Sequence, residues 1–361
     1  MQFPIRLMPR QEAGAYKWLS PVVALLLTVI AGAILFACLG KDPIQSLYVF
    51  LIAPLETLRG WSEVGIKMTP LLLCAAGLVV CFRANVWNIG AEGQFLMGAI
   101  FGGWAALQCP DGIGAWYAVV VIAAGVIGGI FWAGIVALLK DKFHANEILV
   151  SLMLVYVAQF ALAYCVQGPL QDPEGLGFPQ SPMFAASASL GSILPGTRLH
   201  VGFVLAIVAA IAVELMMAKM FLGFQFKVSG MAPLAAKYAG FRPPRLLWIS
   251  MLISGGLAGL AGIVEVMGPV GQLTLNISPG YGFAAIIVAF VGRLSPAGCI
   301  PAAFVMALFY LGGELGQSRL GLPSSITGVY QGMLLFFLLI CDVWICFKPV
   351  WVGFNGKGGA K

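Results

Sequence analysis

From Leu19 to Leu39 the chain carries no charged side chain, and apolar runs of the same character recur to its end. A helix needs about 20 mostly apolar residues to cross the ~30 Å hydrocarbon core of a bilayer. Runs that meet or approach this length are read near 19–39, 65–82, 92–107, 115–139, 147–166, 200–221, 246–267, 298–313 and 326–347. A further one, near 282–292, is too short to cross as a helix and is expected to re-enter or to join its neighbour. Only 9% of the 361 residues are charged and 60% are hydrophobic. A soluble domain carries roughly 25% charged residues, so this chain could not cover itself with polar side chains in water. It also lacks the low hydrophobicity and high charge that disorder requires. The expected fold is an all-α integral membrane protein of about ten transmembrane helices, some broken or re-entrant. The first run is too long for the apolar core of a cleaved signal peptide. No polar linker divides the chain. The reading is therefore a tail over 1–18, one membrane domain over 19–347 and a second tail over 348–361.

The few charges orient the spans. With the N-terminus in the cytoplasm, fifteen of the 20 Lys and Arg fall on the inside. That is a clear positive-inside bias, and an even span count then places both termini in the cytoplasm. The basic residues form no stripe with interleaved aromatics, so nucleic acid is not an expected partner. No metal-ligand cluster and no nucleophile–base pair appears, so neither a catalytic nor a metal site is expected. Four acids remain within spans: Glu92, Glu214, Glu265 and Asp342. They admit proton coupling, but no intramembrane Lys or Arg is an obvious partner. Helix contacts or solvation at the span ends are the favoured reading.

Three segments carry the functional signal. The first, RANVWNIGAEGQ from Arg83 to Gln94, places Asn85, Asn88, Glu92 and Gln94 with two glycines between apolar runs. Unpaired backbone is tolerated at membrane depth only inside the protein or beside water, so a broken helix lining a polar path is expected. The second, KVSGMAPLAAKYAGFRPPRL, lies in a loop read from Leu222 to Arg245. Pro233 suits a first helical turn and Gly240 suits a C-cap, which predicts a short helix outside the membrane, poised to dock a partner. The third, NISPGYGFAAIIVAFVGRLSPAG from Asn276, breaks the chain again before an apolar run. Asn276, Ile277 and Phe283 repeat the spacing of Asn88, Ile89 and Phe95 five spans later, on the opposite face. That arrangement suggests an inverted 5+5 repeat with a path between its halves. The pairs Gly98/Gly102, Gly125/Gly129 and Gly255/Gly259 mark close helix approach. No GxxxxGK[ST] phosphate cradle occurs, so the chain is not itself an ATPase.

At these residues the sequence resembles the permease subunit of an ABC importer, in the branch that serves simple sugars, nucleosides and branched-chain amino acids. NIGAEGQFLMGA, ANEILVSLML and SPGYGFAAIIVAFVGRLSPAG are similar to its nucleoside subgroup. The resemblance runs from about Pro70 to Phe337. LAAKYAG resembles the EAAxxxG motif that docks on the ATPase. Departures are Leu234 for the motif's Glu, Lys227 where Arg is usual, and Val155 where the nucleoside subgroup has Asn.

The resemblance implies a multi-pass protein of the bacterial inner membrane that moves a nucleoside or similar small polar solute inward, with a simple sugar or an amino acid as the alternative. Partners would be the lipid bilayer, a separate ABC ATPase subunit that holds the ATP, a second permease and an extracytoplasmic substrate-binding protein. No cofactor is expected in this chain. Asn85, Asn88, Glu92, Gln94, Asn146, Tyr281 and Phe283 would line or shape the path. Leu234, Ala235, Ala236, Lys237, Tyr238 and Gly240 would form the coupling helix, where a bulky charge at Ala236 is expected to block uptake. A stand-alone ion-coupled transporter or channel using Glu92, Glu214 or Asp342 is the rival reading.

Overall fold

The computed structural model describes residues 5–9, 19–109, 114 and 116–351. Most of the expected tails, 1–4, 10–18 and 352–361, thus lies outside the described residues. The chain forms two compact units, Met1–Tyr48 with Pro323–Lys361, and Val49–Leu322.

In the first unit α1 (Leu19–Cys38) packs against α13 (Ile326–Cys346), with a short helix α2 (Pro43–Leu47) beside α1. Asp42 starts α2 by accepting the N–H groups of Ile44 and Gln45. Gly32 allows the Tyr330 ring to lie on the α1 backbone, and the Phe36 and Tyr330 rings meet at 5.7 Å. Ser20, near the start of α1, donates to Asp342, near the end of α13. The two helices therefore run antiparallel. Beyond them β1 (Ile5–Pro9) pairs antiparallel with β2 (Phe347–Trp351), a two-stranded ribbon with no counterpart among the expected elements.

The second unit holds α3 (Leu58–Arg83), α4 (Ala91–Leu107), α5 (Tyr117–Phe143), α6 (Glu147–Gln167), α7 (Gly202–Lys219), α8 (Phe221–Met231), α9 (Pro233–Tyr238), α10 (Pro243–Glu265), α11 (Tyr281–Val291) and α12 (Pro296–Leu320). Among the described residues eight helices are long and apolar enough to cross a membrane: α1, α3, α5, α6, α7, α10 with the turn that extends it to Val270, α12 and α13. The expected count of ten spans is met only by adding α4 and α11, of 17 and 11 residues. These short helices are the two that follow the chain breaks, where coil replaces part of the span.

The segment expected as a loop from Leu222 to Arg245 contains one helix more than the sequence predicts. α8 forms despite Gly223 and Gly230, whose weak helix propensity hides it. Both glycines lie where a Cβ would collide with backbone, Gly223 against Met217 and Gly230 against the Arg83 carbonyl.

The three glycine pairs meet at one place. A Cβ on Gly98 would fall on the Gly259 Cα, and one on Gly129 would fall on the Gly255 carbonyl oxygen. Gly259 in turn faces the Gly125 carbonyl. So α4, α5 and α10 touch backbone to backbone at a single junction. In a bilayer, helix association depends on such packing rather than on burying apolar surface from water.

Backbone cannot yield as a flexible side chain does. Gly129→Ala is therefore expected to destabilise the protein by at least the ~1–3 kcal/mol typical of overpacking. Gly328→Ala on α13, with nothing within 4 Å, should be neutral. Thermal unfolding of the detergent-purified variants, followed by size exclusion, reads the difference.

Candidate functional site at the paired helix breaks

The two ends of the second unit can be told apart by what they carry. One end bears the loop 168–199, whose Ser181, Phe184 and Leu190 hydrogen-bond the backbone of Leu273, Gly271 and Met267. The other bears α9, with α8 seated on the last turn of α3. Arg83 at that turn donates to the Leu294 carbonyl at 2.7 Å, just beyond α11. The short apolar segment near 282–292 therefore completes a crossing between the two ends. The chain starts at the loop end near Gly271, descends as coil to Gly280 and finishes the passage as α11. It does not turn back.

The first break, 84–90, enters from the α9 end, and the second, 271–280, enters from the loop end. They meet. Glu92, in the first turn of α4, accepts the Gly282 N–H at 2.6 Å. It is also hydrogen-bonded by the Ser278 side chain and the Phe283 backbone. The first N–H groups of a helix have no partner within it, and they carry the positive end of the helix dipole. A carboxylate from another helix satisfies them here. Gly282 is required by the approach, because a Cβ there would collide with the Glu92 nitrogen. Gly280 takes φ +92°, a left-handed conformation that glycine adopts at low cost.

Asn88 and Gln94 close the first break on itself. The Asn88 amide nitrogen donates to Gln94 Oε1 at 3.0 Å and to Ser254 Oγ of α10 at 3.0 Å. Gln94 Nε2 returns a bond to Asn88 Oδ1 at 3.1 Å, and the Gly90 N–H adds another at 3.0 Å. Ser151 of α6 accepts the Ile89 N–H at 3.2 Å. Asn88, Glu92 and Gln94 are all buried, so their polar atoms serve to hold the break. Val155 packs against Gly93 beside this network.

The remaining expected residues separate into two groups. Tyr281 is buried under Phe95, ring centroids 6.2 Å apart. Phe283, two residues on, is exposed. Toward the α9 end Phe82, Trp87 and Phe290 stack across the first break and α11. Asn85 and Asn146 lie away from the meeting point, at the α9 end. Asn85 has φ +58° and borders a cleft of about 490 Å³ shared with Lys140, Asp141, His144, Glu147 and Pro233. Asn146 caps α6 through the N–H groups of Ile148 and Leu149.

Glu214 repeats the device of Glu92. It accepts from Ser295 Oγ and the Ala297 N–H, both at 3.1 Å, at the start of α12. The sequence leaves Glu214 open to ion coupling; the signal for its capping role lies in the SPAG stretch, far away along the chain.

The short helix expected near 233–240 is present as α9, closed by Gly240 at φ +82°. Pro243 and Pro244 do more than stop it, because they open α10. Leu234 and Tyr238 are exposed, at 76% and 94%, whereas Ala236 is wholly buried. A charge at Ala236 would therefore test the folding of this corner, and Leu234 and Tyr238 are the positions that can report on docking.

Comparison with known proteins now assigns the fold. Residues 61–341 match the family described as branched-chain amino acid transport system, permease component. The chain belongs to this permease family. It is 32% identical to a glucose ABC transporter permease protein of Haloferax volcanii, over 99% of this chain and 96% of that one. A nucleoside ABC transporter permease protein of Lactococcus lactis is 29% identical, covering 90% and 91%. A guanosine ABC transporter permease protein of Bacillus subtilis is 27% identical, covering 89% and 92%. This permease is a multi-pass membrane protein, and both breaks lie within the matched region.

Replacing Glu92 separates its acceptor role from its charge. Glu92→Leu orphans buried N–H groups at a cost of about 1–3 kcal/mol, more if several lose their partner. Glu92→Gln keeps one acceptor oxygen and should lose less. Unfolding temperatures of the two variants should rank wild type, Gln, Leu in descending order.

Proposed function

We propose that this permease passes a nucleoside or a sugar into the cytoplasm as part of an ATP-driven importer. A separate ATPase would dock at the α9 end, and a solute-binding protein would deliver at the loop end. The observation that carries the reading is the paired break: two half-coil passages entering from opposite ends and held together at Glu92. Interrupted passages of this kind are tolerated at membrane depth only inside a protein or beside a water-filled path. The relatives act on glucose, nucleosides and guanosine by name, all uncharged and rich in hydroxyl groups. The path would run along the surface that bears Phe283, completed by a second permease. The inner membrane is the proposed location, with both termini cytoplasmic.

α9 supports the docking assignment. It presents Leu234 and Tyr238 outward on a six-residue helix fixed from beneath by Ala236. A helix this short is not stable alone in water, so its rigidity comes from the corner it sits on.

Cells expressing the whole importer provide the test. Tyr238→Asp should lower ATP-dependent uptake by roughly tenfold or more, the effect of one disrupted interface anchor. The amount of permease in the membrane should not change. Uptake by the permease alone, driven by a proton gradient without ATP, would favour the ion-coupled transporter instead.

A further inference from the structure

Four carboxylates lie within apolar segments, and three of them have evident duties. Glu92 caps α11, Glu214 caps α12, and Asp342 accepts from Ser20. Glu265, in the last turn of α10, is different. It is 5% exposed, and its Oε2 is buried without a hydrogen-bond partner.

Two cations lie in the same region. Lys67 and Arg198 are both within electrostatic reach of Glu265. Each is directed elsewhere. Lys67 Nζ pairs with Glu314 at 2.8 Å, and Glu314 is about half exposed. Arg198 donates through Nε and one terminal nitrogen to Glu63, at 3.0 and 2.8 Å. The fold thus pairs its cations with the more accessible acids and leaves the more buried one open. A buried carboxylate without a partner is costly, and folds normally avoid it. Glu265 ends α10 just before the turn to Gly271, and the Met267 and Gly271 carbonyls there bind the loop 168–199, so the open carboxylate lies toward the loop end. The Lys67 ammonium sits over the Tyr281 ring, 5.9 Å from its centroid.

We infer that Glu265 is a solute-binding residue, which accepts hydrogen bonds from the hydroxyl groups of an uncharged solute as it passes from the loop end toward the breaks. The chemistry fits the open acceptor. The open Oε2 offers an acceptor to a hydroxyl donor. A solute hydroxyl supplies the missing donor. The inference rests on the reading of the chain as an importer of such solutes.

The experiment uses the complete importer in proteoliposomes, with radiolabelled guanosine and D-glucose as probes and ATP hydrolysis measured in parallel. The binding protein is kept saturated, so that its own affinity does not enter. Glu265→Gln replaces half of the acceptor set by a donor. Solute moved per ATP hydrolysed should fall roughly tenfold, the loss expected for one charge-assisted hydrogen bond, while ATP hydrolysis continues. Glu265→Asp, which keeps both acceptors, should retain more transport than Gln. An unchanged ratio of solute to ATP in Glu265→Gln overturns the assignment. So does a parallel fall of transport and hydrolysis, or a failure to assemble, since either marks a structural carboxylate. A wild-type complex that moves neither probe with ATP refutes the reading as a nucleoside or sugar importer.

Discussion

The contact between Glu92 and the start of α11 is the interaction on which the rest of the membrane unit depends. A bilayer offers no water to unpaired backbone, so two interrupted passages at the same depth would be prohibitive if each stood alone. Here each supplies what the other lacks. The second break leaves the first N–H groups of α11 open, and the first break places a carboxylate against them. The glycines follow from this contact. Gly282 permits the approach, and Gly280 turns the chain into it. The amide pair of Asn88 and Gln94 then fixes the loop that carries Glu92, and its bond to Ser254 ties that loop to α10.

The three-helix junction is the apolar counterpart of the same problem. Where polar groups cannot bind helices together, backbone contact must, and five glycines bring α4, α5 and α10 close enough for it. Both solutions act on α4: glycines at Gly98 and Gly102 fasten its middle, and Glu92 fastens its first turn. α4 is consequently buried over most of its length although it is too short to cross alone.

Much of this is legible in the sequence, because bilayer solvation writes itself into local composition. Span positions, the two breaks and α9 with its closing Gly240 all follow from runs, glycines and prolines within a few residues of one another. What cannot be read locally is pairing. Nothing in NIGAEGQ says that its carboxylate caps a helix 190 residues later, and nothing near Glu214 points to Ser295. The matched spacing of Asn88–Phe95 and Asn276–Phe283 marks the two segments that meet, without saying which atoms pair. The inward face of α9 is hidden for another reason. A six-residue helix of small side chains has too weak an apolar stripe to reveal that Ala236 is its anchor. α8 escapes notice because its glycines, placed for packing, read as breakers.

The same contacts make a short mechanical route from α9 to the breaks. Ala232 ends α8 and begins α9, and Pro243 begins α10 three residues after Gly240 closes α9. The linkers are therefore too short to absorb much displacement of α9. α10 is a continuous helix from that corner to Glu265, so a shift at one end moves the other. On the way it holds Ser254 against Asn88 and Gly255 and Gly259 against α5 and α4. A partner that pushes α9 thus acts on the amide pair, and through it on the Glu92 contact that joins the two breaks. Packed junctions of this kind rearrange between discrete states rather than deforming smoothly. At the break a hydrogen bond from Asn88 to Ser254 ties α10 to the loop, so a displacement of α10 reaches the two breaks through it.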